Sequence, residues 1–80
     1  MTLRELRLKL EISQGVVAER MGTTQSYVSH LERTIDRAYL STLQRYVEAL
    51  GGRLELTAVF REGPPKRVRI ALPAPEKPPE

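Results

Sequence analysis

The chain of 80 residues has no cysteine, no tryptophan, one phenylalanine and one histidine. Without cysteine, neither a disulfide scaffold nor a thiolate-held metal can form. A lone histidine makes no convincing zinc site, and no triad partners accompany it. Paired carboxylates, a nucleophile–base set and a phosphate-cradling loop are equally missing. The expectation is therefore a protein that is not an enzyme and has no cofactor and no metal. No run of 18 apolar residues and no signal-peptide pattern occurs, which predicts no membrane association and a cytoplasmic location. Eighty residues make one small domain with a limited core.

What is there is periodic. Leu3, Leu6 and Leu10 fall at i, i+3 and i+7 and predict a first helix over 2–10. Ser13 is suited to cap a second helix, whose Val17, Ala18 and Met21 share one face. Gly22 supplies the left-handed backbone of a sharp stop. Thr23 or Thr24 can cap a third helix, with Val28 and Leu31 inward. Residues 34–39 read as a loop. A fourth helix over 41–50, capped by Ser41 or Thr42, shows Leu43, Val47 and Leu50 on one side and ends at Gly51-Gly52.

The period then falls to two. Leu54, Leu56, Ala58 and Phe60 alternate with more polar neighbours. After Glu62-Gly63-Pro64-Pro65, so do Val68, Ile70 and Leu72. This predicts a β-hairpin over 53–72 with one apolar face. PAPEKPPE, residues 73–80, reads as a disordered proline-rich tail. The net charge is +3, and its excess lies in the hairpin: residues 1–52 carry +1, residues 53–72 carry +3 and the tail carries −1. Two strands alone are marginal in water. The hairpin must cover helix 4 or pair with a second copy, and the expectation is a homodimer in which Leu54, Leu56, Phe60, Val68 and Ile70 form a dimer or partner interface.

Residues 14–33, QGVVAERMGTTQSYVSHLER, carry the strongest pattern. A glutamine opens the second helix (Gln14), a small residue follows where two helices touch (Ala18), a glycine turns the chain (Gly22), and an aliphatic residue locks the next helix (Val28). An ordinary helical hairpin explains the apolar spacing but not these four offsets together. The segment resembles the helix-turn-helix of the Cro/phage-repressor (XRE-type) family. That resemblance implies a mainly α fold: a lambda-repressor-like bundle of about four helices, here followed by the β-hairpin, with residues 1–52 as the DNA-binding domain. The third helix presents Gln25, Ser26, Ser29 and His30 outward, all hydrogen-bonding and none a carboxylate, which suits base edges in a major groove. Gln25 is the best base reader. Gln14 at a helix start, Thr24, Arg33 and Arg37 suit phosphates. Tyr27 either touches the DNA backbone or packs on a neighbouring helix. By the same resemblance, Arg7 and Glu32 match a partly buried structural ion pair. Arg4, Arg20 and Arg45 read as solvated. The sequence departs from the family pattern at Glu11 and Thr34, where glycine is common, and at Gly15, where glutamate is frequent.

Residues 40–60, LSTLQRYVEALGGRLELTAVF, resemble the corresponding region of HigA-type antitoxins, which pair with RelE-like ribonuclease toxins. That resemblance implies a repressor of a double-stranded DNA operator. It would neutralise a RelE/HigB-like toxin and repress its own operon. Two alternatives share the pattern: a stand-alone XRE-type repressor or controller with no toxin partner, and an interaction module that no longer binds DNA.

Overall fold

The computed structural model describes residues 1–64 and 66–72. Pro65 of the predicted turn and the predicted disordered tail at 73–80 lie outside the described residues. Four helices precede one antiparallel hairpin: α1 (Leu3–Lys9), α2 (Gln14–Met21), α3 (Gln25–Arg33), α4 (Leu40–Ala49), β1 (Leu56–Phe60) and β2 (Lys66–Ile70). Among the described residues, no helix is long and apolar enough to cross a membrane.

The first three helices start alike. The hydroxyl oxygens of Thr2, Ser13 and Thr24 accept from the backbone N–H of Glu5, Val16 and Tyr27 at 3.0, 3.1 and 3.1 Å. Each satisfies a donor that has no partner inside its helix. Their ends differ. Gly22 closes α2 at φ 69°, with its N–H turned back to Ala18 and Glu19. After α1 the same left-handed position is held by Glu11 at φ 59°, a conformation that crowds a Cβ. The end of α3 avoids it. Thr34 keeps φ at −124°, and its hydroxyl donates to the His30 carbonyl at 2.9 Å. This explains how the chain manages there without glycine.

Several expectations need correcting. The stretch before α4 is not wholly irregular, because Ile35–Arg37 forms a 3-10 turn. Helix α4 starts at Leu40 after Tyr39, with no side-chain cap. The Leu43 N–H already bonds to the Tyr39 carbonyl at 3.1 Å, so Ser41 and Thr42 lie inside the first turn and cannot cap it. Leu10 is exposed, because α1 stops at Lys9 and the turn carries Leu10 off the stripe begun by Leu3 and Leu6. Arg20 and Arg45 are engaged rather than simply solvated. Arg20 Nη1 donates to the Ala49 carbonyl at 2.8 Å, and Arg45 donates to the Met21 carbonyl. The last carbonyls of a helix have no donor of their own, so α2 and α4 serve each other's ends.

The core joins Val17, Ala18 and Met21 of α2, Val28 and Leu31 of α3, and Tyr46, Ala49 and Leu50. Leu3, Leu6, Leu43 and Val47 pack partly buried around it. In the hairpin Leu56 faces Ile70, Ala58 faces Val68 and Phe60 faces Lys66, while Thr57 and Val59 oppose Arg69 and Arg67. Directly opposed residues share a face, which gives one largely apolar face and one basic face. The strand begins at Leu56, not at residue 53, and Leu54 lies before it.

Replacing Glu11 with glycine relieves the left-handed strain. Thermal unfolding of Glu11→Gly is expected to show about 1 kcal/mol more stability, a rise of roughly 4–8 °C in Tm for a domain of this size. An unchanged or lower Tm would mean that Glu11 sits there without strain.

Candidate nucleic-acid interface

Helix α3 turns Val28 and Leu31 into the core and buries the Glu32 side chain, and the rest of its surface faces out. Gln25 and Ser26 are exposed and Ser29 is half-buried. With Gln14 from the start of α2 and Arg33 from the end of α3, they line a shallow depression of about 430 Å³. Arg33 Nη1 donates to Ser29 Oγ at 2.9 Å, which orients the guanidinium along the rim. The Thr24 hydroxyl is occupied as the α3 cap. His30 does not join this depression. It lies round the helix with Tyr27, Leu31, Thr34, Arg37, Ala38, Tyr39 and Thr42, lining a separate groove of about 250 Å³. Apart from Thr24, the predicted residues thus fall into two neighbouring sites: Gln14, Gln25, Ser26, Ser29 and Arg33 in one, and His30 and Arg37 in the other.

Beneath the depression lies a buried polar cluster. Arg7 Nε and Glu32 Oε2 are 2.7 Å apart, with the two side chains 6% and 4% exposed. A second guanidinium nitrogen, Nη2, lies 3.4 Å from Oε1, and the third, Nη1, donates to the Ile12 carbonyl at 2.9 Å. Gln14 Nε2 donates to Glu32 Oε1 at 3.0 Å. The Tyr46 hydroxyl donates to Glu32 Oε2 at 2.7 Å, with the Leu3 carbonyl 3.3 Å away. Among the described residues, every buried side-chain nitrogen and oxygen has a partner. That completeness is what makes a buried charge pair tolerable.

Two roles in this cluster went unrecognised in the sequence. Tyr46 is fully buried, yet Leu43, Tyr46 and Leu50 stand at i, i+3 and i+7, so helical spacing contained the signal. Gln14 has one amide N–H committed to Glu32, so its side chain is tethered at the edge of the depression rather than free to swing to a phosphate.

Electrostatics follow from the contacts. Burial alone pushes the Glu32 carboxyl up. The hydrogen bonds from Arg7, Tyr46 and Gln14, with the Arg7 charge, outweigh it and hold the group below its ordinary 4.5. The hydrogen bond to Glu32 raises Arg7 against the opposing effect of burial. Burial, then the bond to Glu32 and its charge, raise the Tyr46 phenol.

Comparison with known proteins places this geometry. Residues 3–56 match the helix-turn-helix family. Antitoxin HigA1 of Mycobacterium tuberculosis is 49% identical over 51 residues, covering 64% of this chain and 34% of that protein. Putative antitoxin HigA3 of the same organism is 45% identical over 62 residues, covering 75% and 57%. The chain thus spans from a third to just over half the length of these curated relatives. Two solved structures superpose with TM-scores of 0.77. One, described as "DNA bound antitoxin HigA3", is 39% identical and covers 90% of this chain and 91% of that chain. The other, described as "Induced DNA bending by unique dimerization of HigA antitoxin", is 40% identical and covers 89% and 92%.

Glu32→Ala leaves the Arg7 guanidinium buried and unpaired, and is expected to cost about 3–5 kcal/mol in chemical denaturation. An unchanged melting temperature would sink this assignment. The depressed carboxyl also sets a pH signature. Its stabilising contribution is complete above the unfolded value near 4.5 and is lost as pH falls through the lower folded value. Acid titration of stability should therefore be steeper for the parent protein than for Glu32→Gln, and equal slopes would refute the coupling.

Proposed function

The chain belongs to the helix-turn-helix family and groups there with the HigA antitoxins, and on that premise we propose that it is a homodimeric DNA-binding antitoxin that represses its own operon in the cytoplasm and neutralises a RelE-like ribonuclease toxin. One observation carries the DNA-binding part: the open side of α3 joins Gln25, Ser26, Ser29 and Arg33 in one depression without a carboxylate. A glutamine amide donates and accepts at once, which matches adenine N7 and N6 in the major groove. Serines permit close approach, and Arg33 at the rim answers the phosphate charge. Thr24, His30 and Arg37 would extend this contact along the backbone, and Gln14 would hold the start of α2 against it.

A single recognition helix makes few contacts. A two-fold dimer reads two half-sites about one helical turn apart, and the relative described by its unique dimerization supports that assembly. The hairpin leaves Leu56, Val59, Phe60, Val68 and Ile70 exposed, which is apolar surface available for dimer or partner contacts. Support for the toxin comes from the antitoxin names of the relatives.

Gln25→Ala is expected to bind a promoter fragment of its own operon roughly 10- to 100-fold more weakly in a mobility-shift titration, the equivalent of about 1–3 kcal/mol for a bidentate base contact. Its melting temperature should not change. Undiminished affinity would remove Gln25 from the interface. Capture of tagged protein from its host should also recover a small RelE-like protein in stoichiometric amount. Recovery of operator DNA without it would leave a stand-alone repressor.

A further inference from the structure

The two strands of the hairpin differ sharply in charge. β1, Leu-Thr-Ala-Val-Phe, has no charged residue over its five positions. β2, Lys-Arg-Val-Arg-Ile, has three cations over the same length. Each strand bonds to the other along one side only, so each keeps one open edge. An open edge lined with cations resists pairing, whereas a flat uncharged one invites it. The apolar face is also unfinished: Leu56, Phe60, Val68 and Ile70 stay 38%, 56%, 39% and 44% exposed. A two-stranded sheet needs further strands or a covering layer to be stable.

We infer that a second copy of this chain completes the sheet through β1, in an antiparallel β1–β1 pair whose two-fold axis passes at Ala58. This rests on the reading of the protein as a homodimer and specifies its geometry. Centring on Ala58 uses all five residues of the strand. It sets Leu56 opposite Phe60 of the partner subunit and Thr57 opposite Val59 of the partner subunit. Aromatic–aliphatic cross-strand pairs of this kind stabilise a sheet. The axis stands perpendicular to the sheet, so the apolar faces of both chains lie on one side. The strand order becomes β2–β1–β1–β2, with the three cations of each β2 strand at the outer edges.

The other arrangements conflict with the charges. A β2–β2 pair centred on Val68 would set Arg67 directly opposite Arg69 of the partner subunit, like charge against like. Stacking two hairpins face to face would press Lys66, which shares the apolar face opposite Phe60, against a second apolar surface, where an unpaired ammonium is costly.

Because the chain contains no cysteine, single-cysteine variants report the pairing directly. Opposed residues of an antiparallel pair have Cα atoms about 4.5–5.5 Å apart, within disulfide range. Two Val68 positions would be three strand spacings apart, roughly 14 Å. Under mild oxidation Ala58→Cys is expected to run at twice the 9.1 kDa chain mass, reversibly with reductant, while Val68→Cys stays single. Circular dichroism and the light-scattering mass of the reduced variants check that fold and assembly are intact. Cross-linking of Val68→Cys would overturn the proposal in favour of the β2 edge or stacked faces. Absence of cross-linking in both variants, with a dimeric parent protein, would overturn it in favour of an interface elsewhere. A parent protein that is monomeric in solution and on operator DNA would refute the homodimer reading itself.

Discussion

The hydrogen-bonded pair of Arg7 and Glu32 is the contact on which the arrangement of the helices depends. It joins the first helix to the end of the third, and through Gln14 and Tyr46 it also holds the start of the second and the middle of the fourth. Taking both charges out of water is expensive, and their mutual attraction repays that cost only when every remaining donor and acceptor is matched. Here the carboxylate receives Arg7, Gln14 and Tyr46, and the guanidinium spends its spare nitrogen on the Ile12 carbonyl. The benefit is directional. An aliphatic core would tolerate a helix rotated by several degrees, but a carboxylate with three donors does not. The pose of α3, and with it the placement of Gln25 and Arg33 relative to Gln14 of α2, is set from below.

The rest of the helical unit is closed in the same spirit. Arg20 and Arg45 terminate the partner helix's carbonyls, and Val17, Val28 and Tyr46 leave no surface to solvent. The hairpin is built differently. Its strands bond to one another, and its apolar side chains stay partly open. One chain therefore contains a part with a closed core and a part whose apolar side chains have no such core around them. In the proposed function these become separate duties, reading DNA and assembling.

Local signals were legible in the sequence because their causes are local. Ser13, Gly22 and Thr24 sit where neighbouring backbone groups need them, and the inward spacing of Val17, Ala18, Met21, Val28 and Leu31 is set by helical pitch alone. The alternation from Leu56 to Ile70 likewise depends only on the pleat. What escaped depends on which elements meet. Arg20 and Arg45 find carbonyls 29 and 24 residues away, and nothing in their own windows says so. Tyr46 escapes because Leu43, Val47 and Leu50 already make a complete helical stripe, and its partner Glu32 lies 14 residues away. The α4 start moved because a backbone carbonyl opened the ladder without a capping side chain. In the candidate site, Gln25, Ser26, Ser29 and Arg33 follow from one helix face, whereas the tether on Gln14 and the separation of His30 required the packed structure.

The charge shifts inside the buried cluster share a direction. Glu32 is driven lower, while Arg7 and Tyr46 are driven higher. All three move away from neutrality, so the scaffold under α3 keeps one protonation state near neutral pH. The chain's only histidine, His30, stands outside that scaffold on the far groove. The frame that aims α3 therefore keeps its charges near neutral pH, and a modest shift in acidity leaves the helix pointed where it was.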